Sequence, residues 1–247
     1  MASSIRHYEC EKCPLRGIDI FRKFSKDELG FVSAFKSGEL VAEAGTTFLT
    51  QGSSSAYVYT VLSGWGYRYK DLEDGRRQVL NFVFPGELVG LQGAVLKEME
   101  HSVQALSDMI LCIFERSKLW DLYKNYPTLA YDITWLAARE EQMLEQHLLT
   151  VGKRTAKERL AYLVLHIFER AKLLGMTSGN SFEVPLTQQH VADTLGLSLV
   201  HTNKTLRVLY NQQLISWNRK TLTVLDHDRL CDVAKWEGLG EQKRPFI

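Results

Sequence analysis

Two cysteines stand three positions apart in the stretch HYECEKC, His7 to Cys13. Thiols at that spacing clamp a metal or cluster, or form a redox couple. The chain holds four cysteines in 247 residues, and the others are Cys112, in DMILCIFERSKLWDL, and Cys231, in RLCDVAKW. Taken alone, Cys112 reads as a small buried apolar residue in a strand, a frequent fate of a free cysteine. Cys231 reads as structural. The first pair is therefore open between a cluster or metal site, a thiol–disulfide switch, and ordinary reduced cysteines of a loop.

A second group of residues sits in PLTQQHVADTLGLSLVHTNKTLRVLYNQQLI. Thr187 can cap a first helix with Val191, Ala192 and Leu195 on its apolar side. Gly196 can take the left-handed conformation of a tight turn. Ser198 can cap a second helix, with Leu199, Thr202, Leu206 and Leu209 facing inward. Two short helices joined through a glycine turn form a helix-turn-helix, whose second helix enters the DNA major groove. Val200, His201, Asn203, Lys204 and Arg207 point away from the apolar face. Asn pairs bidentately with adenine, Lys donates to guanine, and an apolar side chain can touch a thymine methyl. Thr187, Gln188, Gln189 and Ser198 open the two helices, where phosphate contacts fall. A hairpin follows, SWNRKTLTVL, with Arg219 and Lys220 at its tip as further phosphate contacts.

Charge supports a nucleic-acid partner, although the net charge is only +1. Residues 151–225 carry ten Lys or Arg and four Asp or Glu, a local excess of six positive charges. The first 150 residues are net acidic, so the total hides a basic module. Composition is ordinary for a globular chain, with 45% hydrophobic residues. No apolar run is long enough to cross a membrane, and no secretory signal is visible, so a cytoplasmic location is expected. Enzyme frames are missing: no Ser/His/Asp set, no Gly-rich phosphate loop before a helix, no HExxH.

These residues need elements to hold them. Ser25 with Glu28 three residues later is a capping box, which starts a short helix over 24–35. Glycines then recur at 38, 45, 52, 64, 66, 75, 86, 90 and 93, separating short β-branched and aromatic runs. That pattern predicts a small β-sandwich or barrel, with Asp74-Gly75 as a hairpin turn. Apolar residues at Ile133, Leu136, Ala137, Met143, Leu144, Leu148 and Val151 predict a long amphipathic helix. Its stripe packs either on the chain's own β-domain or on a second copy. A second helix covers 153–170, followed by a polar loop before the reading module. The expected segments are a cysteine-bearing loop (1–23), a β-domain (24–120), a long helix (121–151), the reader (152–226) and a tail (227–247).

Over residues 10 to 226 this order resembles the CRP/FNR family of bacterial transcription regulators. The resemblance is carried by SGELVAEAGTTFLTQG, YTVLSGWGYRY, LEDGRRQVLNFVFPGELVGLQG, KRTAKERLA and LTQQHVADTLGLSLVHTNKTL. It implies an α+β fold: a cupin-like, cyclic-nucleotide-binding-domain-like β-roll, a dimerisation helix and a winged helix-turn-helix. It further implies a homodimer on palindromic double-stranded DNA, in contact with RNA polymerase. In the cyclic-nucleotide branch an Arg-Ser pair lies beside a Gly-Glu turn. Here Gly86-Glu87 is present but His101-Ser102 lacks the arginine, so a cyclic phosphate has no charge-assisted partner. The FNR-like branch carries a [4Fe–4S] cluster on three N-terminal cysteines and one late in the β-domain. Cys10, Cys13 and Cys112 match three of these positions, and Asp19 stands at the fourth, with His7 or an outside group as alternatives. Haem would need His7, His101 or His147 as axial ligand. The reading helix departs from the best-known branches, which have Glu at Val200 and Arg at Lys204, so the usual half-site does not carry over.

Overall fold

The computed structural model describes residues 8–240 and 243–247; His7 lies outside them. The capping box forms as its residues dictate. Ser25 N donates to Glu28 Oε2 at 2.7 Å and Glu28 N to Ser25 Oγ at 3.2 Å. It starts helix α1 (Lys26–Phe35), whose Val32 and Phe35 are buried.

Eight strands follow: β1 (Lys36–Ala42), β2 (Thr47–Leu49), β3 (Tyr57–Ser63), β4 (Gly66–Asp71), β5 (Arg77–Val83), β6 (Leu88–Val89), β7 (Ser102–Ala105) and β8 (Met109–Glu115). A short helix, α2 (Leu91–Leu96), sits between β6 and β7. The strands form two four-stranded sheets, ordered β1-β8-β3-β6 and β2-β7-β4-β5. Residues from both, among them Leu49, Val61, Val83, Val103, Met109 and Leu111, make one apolar core. The Asp74-Gly75 turn closes β4 on β5, with Gly75 at φ 83°.

Helices α3 (Leu119–Asn125), α4 (Pro127–Lys153) and α5 (Ala156–Leu173) come next. Then β9 (Thr177–Ser178), β10 (Ser181–Glu183), α6 (Gln188–Leu195), α7 (Leu199–Asn211), β11 (Ile215–Asn218), β12 (Thr221–Val224) and α8 (His227–Ala234) complete the chain's elements. The polar stretch after α5 is a hairpin rather than a loop. β10 pairs with β12, so the wing is a four-stranded sheet, β11-β12-β10-β9.

Contacts divide the chain into two units. One runs to Lys70, resumes over Asn81–Gln142 and takes up Lys243–Ile247. The other holds Asp71–Leu80 and Met143–Gln242. Within the second, Gln78 Nε2 on the hairpin tip donates to Thr194 O at 3.1 Å. No helix is long and apolar enough to cross a membrane among the described residues.

The 227–247 segment is not a plain tail. α8 packs on α5, and residues 243–247 lie in the β-domain unit. Arg244 N donates to Ile20 O at 2.9 Å, and Arg22 N donates to Arg244 O at 3.0 Å. Phe246 meets the Phe21 and Phe24 rings, each at 5.0 Å between centroids. The Thr60 hydroxyl donates to the Ile247 carbonyl. Phe246 and Ile247 are each 4% exposed, so these are core residues of a domain that begins more than two hundred positions earlier. Phe246→Ala is expected to cost about 3 kcal/mol of β-domain stability, the usual scale for truncating a buried Phe. Urea unfolding followed by tryptophan fluorescence measures it, and an unchanged midpoint would show that the segment is only laid on the surface.

Candidate functional site

The reading helices form through the expected caps. The Thr187 hydroxyl accepts from His190 N at 3.2 Å, and Ser198 Oγ accepts from His201 N at 3.2 Å. Gly196 sits at φ 63° between them, which lets α6 end and α7 begin within three residues. Val191, Ala192, Leu195, Thr202, Leu206 and Leu209 are buried, whereas Leu199, expected inward, is 41% exposed. At the first turn of α7 it lies before the inward stripe begins. Val200, His201, Lys204 and Arg207 are exposed, as are Thr187, Gln188, Gln189 and Ser198. Asn203 is only half-exposed, and its Oδ1 is buried without a hydrogen-bond partner. Pairing with adenine uses both ends of the amide, so Asn203 must swing outward to read a base. At the wing tip Arg219 takes a left-handed turn, φ 54°, and both Arg219 and Lys220 are exposed.

The apolar stripe of α4 splits in two. Ile133 is 1% exposed and belongs to the β-domain core together with Leu129. It is therefore withdrawn from the set of dimerisation residues: side chains at 129 and 133 share the face turned inward. Leu136, Met143 and Val151 are half-buried and Ala137 is exposed. Leu144 and Leu148 are 39% and 71% exposed. The pattern 137, 144, 148 and 151 lies on one helix face.

The cysteines come from two parts of the β-domain unit. Cys10 opens the 3-10 turn Cys10–Lys12, and Cys13 joins it to a second, Pro14–Gly17, whose Leu15 is buried. Cys112 is on β8, 9% exposed. Burial pushes its thiol up to about 12, and the charges acting on it are those of Lys36, Cys13, Glu39 and Cys10. Burial also raises the Cys13 thiol. These thiols are protonated when empty, and a metal must displace the protons to bind. Asp19 is exposed in the turn after the second 3-10 segment. Among the described residues no three His, Cys, Asp or Glu are gathered for a single ion. A [4Fe–4S] cluster takes its ligands on separate irons, which is a wider spacing.

One participant has no signal in the spacing of the motif. Glu39 stands directly across from Cys112 in the β1–β8 pairing. Its side chain is 1% exposed. Oε1 accepts from Tyr8 N at 2.8 Å and from Lys36 Nζ at 2.5 Å, and Lys36 Nζ also donates to Tyr8 O at 2.6 Å. Oε2 is buried and has no partner. An inward charge in a strand, opposite a cysteine, is the clue that sequence offers only once the register is known.

The β-domain interior explains why the nucleotide pattern is altered. Gly86 takes φ 83°, and the Phe21 ring fills the place of a Cβ. Glu87, 4% exposed, has Arg244 Nη2 at 3.7 Å, so the turn is occupied by the chain's own segments. Arg68 pairs with Glu140 at 2.8 Å. Ser102 Oγ accepts from Gln51 N at 3.0 Å. His101 is 7% exposed; burial, then the charges of Arg68 and Lys70, lower it from 6.5 to about 4. At high pH folded and unfolded states are both neutral there. As pH falls below 6.5 the unfolded chain takes up a proton that the folded chain refuses until about 4, so stability is lost across that window. Between pH 7 and pH 5 the loss from this group is about 2 kcal/mol. His101→Gln should remove that part of the acid sensitivity in pH-dependent urea unfolding, and an identical slope in the variant would disprove the assignment.

Known proteins match both units. The Cyclic nucleotide-binding domain family matches residues 39–126, and the Crp-like helix-turn-helix domain family matches 158–233. The transcriptional activator protein FnrL of Cereibacter sphaeroides is 26% identical over 231 residues, 92% of each chain. The transcriptional activatory protein AadR of Rhodopseudomonas palustris is 30% identical over 184 residues, 74% of this chain and 73% of that one. The solved structure of FixK2 from Bradyrhizobium japonicum has TM-score 0.72 and 25% identity, covering 79% of this chain and 96% of that one. The relatives are named as activators of transcription, not as enzymes, and α6 and α7 lie within the matched helix-turn-helix module. A β-roll with an attached winged helix-turn-helix, matched along most of its length by such regulators, makes this chain a member of the CRP/FNR family of transcription regulators.

Proposed function

We propose that the protein is a homodimeric, sequence-specific regulator whose hold on DNA is gated by an oxidant-sensitive [4Fe–4S] cluster. The observation that carries the reading is that Cys10 and Cys13, from an N-terminal loop, lie near enough to Cys112 on β8 for their charges to act on its thiol. Three thiols and a hard oxygen donor suit iron. When bound, the cluster supplies a crosslink, labile to oxygen or nitric oxide, between the N-terminal segment and β8. The chain's residues do the rest. Tyr8, Lys36 and Glu39 orient the loop. Ile20 and Arg22 pass its position to Arg244. Arg22 also bonds Asp132 on α4 at 2.7 Å through Nε, which reaches the helix that carries Ala137, Leu144 and Leu148 toward a second copy. Two copies present two α7 helices to a palindromic operator, and the activator names of the relatives support a contact with RNA polymerase.

Anaerobically purified protein should be brown, hold about four irons with matching sulfide per chain, the content of one such cluster, and bleach in air. Colourless, iron-free protein after reconstitution would sink the cluster and leave the DNA reading standing. On DNA, Asn203→Ala and Lys204→Ala should each weaken specific binding by roughly 1–3 kcal/mol. Titration of a selected operator by gel shift checks this. Wild-type affinity in either variant would remove that residue from the reading set.

A further inference from the structure

Resting on the cluster reading, we propose that Glu39, not Asp19, is the oxygen ligand of the iron–sulfur site, binding through Oε2. The register of the sheet makes the case first. Glu39 and Cys112 are direct cross-strand partners, and such neighbours have Cβ atoms about 5 Å apart. Both side chains are shielded: Cys112 is 9% exposed as a residue and the Glu39 side chain 1%.

The two carboxylate oxygens are used unequally. Oε1 is held by the Tyr8 amide and the Lys36 ammonium, at 2.8 and 2.5 Å. Oε2 is buried with nothing donating to it. A carboxylate oxygen left so is costly, because burial removes its water without replacement. An iron ion is a suitable partner, being a hard-to-borderline acceptor for oxygen.

The neighbourhood also balances charge. Three thiolates and a carboxylate leave the assembly anionic. Lys36, whose side chain is 4% exposed, places an ammonium within the field of both Cys10 and Cys112. Its clamp on Tyr8, two residues before Cys10, fixes where the loop enters. Asp19 has the composition of a ligand, but it is exposed in a turn, whereas Glu39 is shielded and paired directly across from Cys112.

The test uses the full chain, reconstituted without oxygen from ferrous iron and sulfide. Wild type, Asp19→Asn, Glu39→Gln and Glu39→Cys are compared by iron and sulfide content, absorption, and Mössbauer spectra of ⁵⁷Fe-loaded protein. Wild type and Asp19→Asn should load alike and show one iron subsite distinct from the rest. Glu39→Gln should lose at least the roughly tenfold affinity that even an outer partner of a metal ligand contributes. Since Glu39→Gln also loosens Lys36 and Tyr8, Glu39→Cys guards against a folding artefact: it should load iron and lose the distinct subsite. If wild type loads and Glu39→Gln loads equally, or Asp19→Asn alone fails, or Glu39→Cys keeps the wild-type spectrum, the assignment falls while the cluster stands. If wild type takes up no iron, the cluster reading falls and this assignment with it.

Discussion

Arg22 is the constraint on which the β-domain is assembled. Its guanidinium bonds Glu28 on α1, at 3.0 and 3.1 Å, and Asp132 on α4, while its amide bonds Arg244. Asp132 is 4% exposed and Glu28 9%. Two carboxylates taken out of water need a cation with fixed, forked donors, and Arg supplies them where Lys could not. Breaking one partner of such a set leaves an uncompensated buried charge, which is far worse than never having built it. The N-terminal segment, the first helix, the long helix and the last five residues therefore share one anchor, and the cysteine loop hangs immediately upstream of it.

What the sequence made legible was local. Thr187, Gly196 and Ser198 announce the reading helices because each cap is settled by its own neighbours three residues away. Ser25 and Glu28 announce α1 in the same way. The glycine rhythm of the β-domain shows strands with turns between them, and the strands appear where the rhythm puts them. The misses are all long-range. Thr177–Ser178 and Ser181–Glu183 are too short and polar to declare themselves, and they are strands because β12 offers them an edge. Ile133 shows the helical period but not which side the period faces. Residues 243–247 carry Arg, Pro and Phe with no pattern at all, and their burial is decided by Phe21 and Phe24. Glu39 reads as one more charge in a strand until pairing puts it opposite Cys112.

The reader and the sensor follow different electrostatic logic. In the reader, Lys153, Lys172, Lys204, Arg207, Arg219 and Lys220 are exposed, and exposed basic side chains attract a polyanion in a salt-dependent way. Val200, 65% exposed at the start of α7, is an apolar side chain among these charges. In the sensor, charge is turned inward and paired: Lys36 with Glu39, Arg68 with Glu140, Arg22 with Glu28 and Asp132. Salt screens the first set and barely reaches the second.

The pairing of Ile20 and Arg22 with Arg244 has a consequence for synthesis. Domains ordinarily fold as they emerge from the ribosome, N-terminal first. Here the β-domain lacks part of its core until residues 243–247 emerge, after the entire reading module. Non-local closure of that kind is slow and comes last. The helix-turn-helix module therefore has its whole sequence in hand before residues 243–247 can join the Phe21 and Phe24 rings.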